Sequence, residues 1–167
     1  GFGGGSRQLY PWHNSWCGDL DLMGVRKAMS HYRNIIWDRG EKLYVGVREP
    51  QTESRTIRLG NGWSTWPTWE SWTWPGFEGK TLDVEVYSSC DKVQLYLNDR
   101  LIGEKPTTRA EAFTVTFTVP YSPGKLRAVA LQDGKQAAES ILTTAGDAAR
   151  IRLIPDRAKI TAGGQDL

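Results

Sequence analysis

The sequence predicts a mainly β protein: an antiparallel two-sheet sandwich of immunoglobulin-like shape, preceded by a loop and one helix. Three observations carry this. After Glu41 large apolar residues alternate with period two, hairpin-type turns separate the alternating runs, and no helical pattern falls between them. Antiparallel strands can be joined by such turns, whereas parallel ones need crossover segments that this stretch lacks.

In chain order, residues 1–24 show neither helical nor strand periodicity and read as a long loop. The run Gly1 to Ser6 lacks the lysine and the strand-to-helix context of a phosphate loop, so it reads as flexible linker. From Val25 to Trp37, Val25, Met29, Tyr32 and Ile36 are spaced to build one stripe on a helix, and Gly40 is placed to end it.

Strand patterns then follow. Leu43, Val45 and Val47 alternate with Tyr44 and Gly46; Leu82, Val84 and Val86 with Asp83 and Glu85; Val93, Leu95 and Leu97 with Gln94 and Tyr96. These read as half-buried strands. Phe113, Val115, Phe117 and Val119 alternate with Thr114, Thr116 and Thr118, whose face is expected to meet water. Turn signals stand at Asn98-Asp99, Pro120 to Gly124 and Asp133-Gly134. A last strand is expected over Ser140 to Thr144, then a hinge at Ala145 to Asp147. The start of a further β module is expected near Arg150 to Ile154. The antibody-type Cys, Trp, Cys spacing is absent, so the immunoglobulin likeness is one of shape.

Composition narrows the function classes. A net charge of +2, from 21 basic and 19 acidic residues dispersed along the chain, argues against a nucleic-acid partner. No apolar run approaches the roughly 20 residues a membrane-spanning helix requires, so no membrane partner is expected either. Cys17 and Cys90 lie in unlike segments and give neither a disulfide framework nor a zinc site; no metal and no cofactor is expected. A chain of 167 residues opening on glycine reads as an excerpt, with room for about one domain and part of another.

Two ordered stretches carry a family resemblance. The first runs Pro11-Trp12-His13-Asn14-Ser15-Trp16-Cys17-Gly18-Asp19-Leu20-Asp21-Leu22, through Gly24, Arg26-Lys27 and Ser30-His31-Tyr32-Arg33, to Trp37. The second joins Trp69-Glu70-Ser71-Trp72-Thr73-Trp74 and Gly79 to Val84-Glu85-Val86-Tyr87, Leu95-Tyr96-Leu97-Asn98, Gly103, Val119-Pro120-Tyr121 and Pro123-Gly124, and the likeness continues to Asp166. Together they resemble the β-galactosidase-like branch of glycoside hydrolase family 2, in large multidomain bacterial enzymes. Two departures cost little: Ala28 stands where a proline would open the last helix, and Asp99 where the hairpin would carry glycine.

The resemblance implies a division into residues 1–40, the last loop and helix of a catalytic (β/α)8 barrel; 41–146, the sandwich that follows; and 147–167, a linker into another β module. It implies retaining hydrolysis of β-glycosidic bonds by a pair of glutamates in the parent, both upstream of this chain, so no catalytic residue is assigned here. It further implies carbohydrate as a partner through the parent, contact with the rest of the same polypeptide, and a periplasmic or secreted parent.

Several residues remain as contact candidates. Trp12, His13 and Trp16, on the loop after a barrel strand, would lie at the rim of the parent's substrate site or pack that loop against the barrel mouth. His31, inside the helix, is expected to pack or meet solvent. Asp19 and Asp21 form the only close carboxylate pair before the strands and read as turn or cap residues. Trp63, Trp66, Trp69 and Trp72 recur every three residues with Trp74 behind them, a period that fits a polyproline-like rail with the indoles on one side. Such a rail is either a sugar platform, making the chain a carbohydrate-binding module, or a packed seam between barrel and sandwich. Leu20, Leu22, Ile35 and Ile36 would be exposed without a barrel, so the opening segment is expected to fold onto the sandwich, associate with a second copy, or lack order.

Overall fold

The computed structural model describes residues 18–21, 23–52, 65–150, 152–154 and Lys159. Helix α1 (Ala28–Ile36) is followed by β1 (Leu43–Arg48), β2 (Thr68–Trp69), β3 (Thr81–Ser88), β4 (Lys92–Leu97), β5 (Arg100–Pro106), a 3-10 turn at Arg109–Glu111, β6 (Thr114–Pro120), β7 (Lys125–Gln132) and β8 (Lys135–Thr143). The strands form two antiparallel sheets, ordered β2-β1-β3-β6 and β5-β4-β7-β8. Apart from the short β2, this is the immunoglobulin-like sandwich the alternation predicts.

Between the sheets lies the core. Val45 and Val47 stand opposite Val86 and Val84, and Val84 in turn opposite Phe117. From the other sheet, Val93, Leu95, Leu126, Ala128 and Ala130 meet them, while Trp72 and Tyr121 pack edge to face within the same cluster. Asn98 and Asp99 both adopt positive φ, 50° and 63°, as do Asp133 and Gly134, at 51° and 74°. That is the signature of the two-residue turn that matches strand twist, with Asp99 accepting the left-handed backbone usually given to glycine.

The structure departs from the sequence reading at particular places. Helix α1 starts at Ala28, not Val25, because Asp21 draws the preceding residues into a turn. Its buried side is Ala28 and Ile35, with Tyr32 packed beside them; Ile36 and Val25 are exposed. Asp38, with φ 48°, ends it: the Arg39 N–H bonds Asn34 O and the Asp38 N–H bonds Ile35 O, so the stop comes two residues before Gly40. β8 begins at Lys135 rather than Ser140. β5 and β7 were not signalled by large alternating residues, since β5 is exposed along most of its length and β7 buries alanines.

β1 is not half-buried, because α1 lies on the outer face of the first sheet. Tyr44, which alternation turns away from the core, is buried beneath it with Tyr87, and Gly46 is buried beside the Tyr44 hydroxyl and Thr68. On the threonine face Thr118 is exposed and donates to Asp83 at 2.8 Å, whereas Thr114 and Thr116 are half-buried. Of the residues expected to need cover, Ile35 is sealed against the sandwich, Leu20 and Ile36 stay exposed, and Leu22 lies outside the described residues.

Candidate functional site

Where α1 rests on the sheet, one histidine organises several charged groups. His31 lies on the sandwich-facing side of the helix, and its ring stacks on Tyr44 at 4.5 Å. Its Nδ1 is 2.5 Å from Glu41 Oε1, and its Nε2 is 3.1 Å from Glu70 Oε1. The first of these is a hydrogen bond, the second an ion-pair contact. Glu41 also receives Arg26 Nη2 at 3.0 Å and Asn34 Nδ2 at 3.4 Å. Burial pushes the Glu41 carboxyl up, but the hydrogen bonds and charges of His31 and Arg26 outweigh it and hold it below its ordinary value.

Tyr44 continues the stack onto Tyr87, 5.3 Å away, and Tyr32 meets Tyr87 edge-on. Burial, then the charges of Glu70, Glu85 and Glu41, pushes the Tyr44 phenol well above its usual range. Burial first, then Glu85, does the same to Tyr87. Glu85 itself accepts from Arg48 Nε at 2.9 Å and Thr68 Oγ1 at 3.1 Å. Gly46 is required here: a methyl on its Cα would sit 2.7 Å from both the Tyr44 hydroxyl and Thr68 Cγ2.

Beside this cluster opens a cleft of about 400 Å³, lined among others by His31, Tyr44, Trp66, Thr68 and Glu70. Residues 65–70 all line it, and Glu70 reaches the helix at His31. Glu41, Tyr44 and Glu70 were not singled out from sequence. The one signal was the polar phase of β1, on which Tyr44 falls.

The structure separates the tryptophans. Trp66 donates to Glu49 O at 2.9 Å, Trp69 to Glu49 Oε2 at 3.0 Å, Trp72 to Ser122 O at 3.0 Å and Trp74 to Ser71 O at 3.0 Å. Trp69 is half-exposed, while Trp72 is wholly buried in the core. The indoles of Trp66, Trp69 and Trp72 therefore do not line one side: Trp69 pairs with Val47 as part of β2, and the chain then turns inward. Trp12, His13, Trp16, Cys17 and Trp63 lie outside the described residues. Cys90 is a buried free thiol. Asp21 fixes a turn, its Oδ1 accepting from Met23 N and Val25 N at 2.8 Å each, and Asp19 pairs with Arg33.

A family model described as a domain of unknown function, DUF4982, matches residues 79–138. A β-galactosidase of Bacteroides ovatus is 30% identical over 158 residues, covering 95% of this chain and 16% of that protein. A solved glycosyl hydrolase family 2 member from Bacteroides cellulosilyticus superposes with a TM-score of 0.76 at 33% identity, over 89% of this chain and 19% of its own. A β-glycosidase from Bacteroides vulgatus superposes at 0.62 with 28% identity, over 87% of this chain and 16% of its own. The chain thus spans under a fifth of the length of these relatives. It is a region of a glycoside hydrolase family 2 protein.

Proposed function

We propose that this chain is a non-catalytic part of a β-galactosidase-like enzyme that cleaves β-glycosidic bonds with retention. In this reading residues 1–40 close the catalytic barrel, 41–146 form the sandwich bracing it, and 147–167 lead into another β module. The two apolar sides of α1 carry the proposal. Ala28 and Ile35 close on the sandwich, while Ile36 and Trp37 stay exposed, as do Leu20, Met23 and Val25 just ahead of the helix. A helix that is apolar on two sides suits a place between two bodies.

The carboxylates support the same reading. A retaining glycosidase needs two of them about 5 Å apart across the scissile bond, one with a raised proton affinity. Glu41 and Glu70 instead clasp His31 from either side, and Glu41 is held low. The test is incubation of the purified chain with chromogenic β-galactosides and β-glucuronides, from which no release is expected. Turnover abolished by Glu41→Gln or Glu70→Gln would overturn the proposal.

A second reading, a carbohydrate-contacting module, has one observation in its favour. Trp66 lines the cleft between helix and sheet, with its indole N–H tied back to Glu49 O. Its ring is thereby oriented before any ligand arrives.

A further inference from the structure

Tyr44 presents an unusual combination. The residue is 4% exposed, and its ring is held between His31 and Tyr87, yet among the described residues its hydroxyl meets no hydrogen-bond partner. The oxygen is not among the buried unpartnered polar atoms, so it keeps contact with solvent. Tyr44 lines the cleft, and Gly46 leaves its hydroxyl room.

Two other groups in the cleft are preoriented. Glu70 Oε1 lies 3.1 Å from His31 Nε2 while its side chain stays 53% exposed, so acceptor capacity remains toward the cleft. Trp66 is fixed by Glu49 O. The lining carries Arg26 and Lys27 as well as Asp21 and Glu70, a balance that favours neither a cation nor an anion. An apolar ring face, a donor and an acceptor together fit a neutral polyhydroxyl ring. A volume of about 400 Å³ lies at the small end of ligand pockets, about 300–1,000 Å³, which suits a sugar unit rather than a long chain.

We propose that this cleft is a site for a neutral pyranose, with Trp66 under the ring, the Tyr44 hydroxyl donating to a sugar oxygen and Glu70 accepting from sugar hydroxyls. The site rests on the carbohydrate-contacting reading and adds its location, its ligand class and the role of Tyr44. It needs no bond to be made or broken.

The test titrates methyl β-D-galactopyranoside and methyl β-D-glucopyranoside into the whole 167-residue chain, followed by calorimetry and by indole N–H resonances. Millimolar binding is expected to at least one of them, weakened about fivefold or more by Tyr44→Phe and by Glu70→Gln and unchanged by Tyr96→Phe on the other sheet. Tyr44→Phe is also expected to leave the melting temperature unchanged or raised, because it deletes an unpartnered hydroxyl; a merely structural hydroxyl would lower it, and that result overturns the site. Binding that ignores both cleft variants also overturns the site but leaves the carbohydrate reading standing. No binding at tens of millimolar sugar sinks both.

Discussion

The imidazole of His31 lies against the ring of Tyr44, 28° from parallel, with a glutamate at each ring nitrogen. Beside the packing of Ala28, Tyr32 and Ile35, the helix thus joins the sandwich through a side chain that both stacks and carries charge contacts. Its removal takes away an aromatic pair and leaves Glu41 short of a partner. Allowing for the exposure of Glu70, His31→Ala is expected to cost about 2 kcal/mol in urea unfolding. Amide exchange should accelerate in α1 before it does in β3 or β4, because the core between the sheets contains none of these groups. Uniform acceleration would contradict this joint.

Acid is expected to loosen the same joint. The Glu41 carboxyl is held below its ordinary value of 4.5 in the folded chain, so the unfolded chain binds its proton first as pH falls. The stability that Glu41 contributes is complete above about that value and is lost as pH drops through the folded one. Denaturant midpoints measured between pH 7 and pH 3 should converge for the native chain and Glu41→Gln. A constant gap between them would remove Glu41 from the account.

Alkali acts through the tyrosines with the opposite sign. Tyr44 and Tyr87 are held above their ordinary 10.0 by burial and neighbouring carboxylates, so the folded chain keeps protons that the unfolded chain releases. Stability is therefore expected to fall as pH rises past about 10, and to fall less steeply in Tyr87→Phe. Phenolate absorbance in the folded protein should lag behind that of a denatured control.

The sandwich was legible in the sequence because its core depends on near-neighbour alternation: Val45 with Val47, Val84 with Val86, Phe117 with Val119. The turns were legible because Asn98-Asp99 and Asp133-Gly134 tolerate positive φ. What could not be read was how the helix rotates about its own axis. Of the spacing Val25, Met29, Tyr32 and Ile36, Val25 falls before the helix and Ile36 is exposed, while the side facing the sandwich is set by Ala28, Tyr32 and Ile35 docking on Tyr44 and Tyr87. The cleft was hidden for the same reason, since Glu41, Tyr44 and Glu70 meet only once α1 is in place. The tryptophan period misled because Trp69 follows strand pairing, whereas Trp72 follows the core.

Gly46 offers a sharp steric test. An added methyl would press on Thr68 Cγ2 and the Tyr44 hydroxyl at 2.7 Å, and the tyrosine ring has no room to swing while held between His31 and Tyr87. Gly46→Ala is expected to cost about 1–3 kcal/mol. At Gly146, where nothing lies within 4 Å, the same substitution should be close to neutral. Equal effects at both positions would show that the outer face of β1 yields more readily than its packing implies.

Ile36 and Trp37 test the second apolar side of α1. Trp37 is 62% exposed and Ile36 37%, on a side of the helix that the sandwich does not cover. Exposed apolar area of this kind drives association when nothing covers it. The isolated chain is therefore expected to self-associate at high concentration, and Ile36→Glu with Trp37→Ser to shift light scattering toward monomer. Neither side chain is packed in the core, so the double variant should unfold within about 0.5 kcal/mol of the parent chain. Loss of stability without a change in association would mean that this side already packs against the chain's own residues, and the helix would then have no face to offer a barrel.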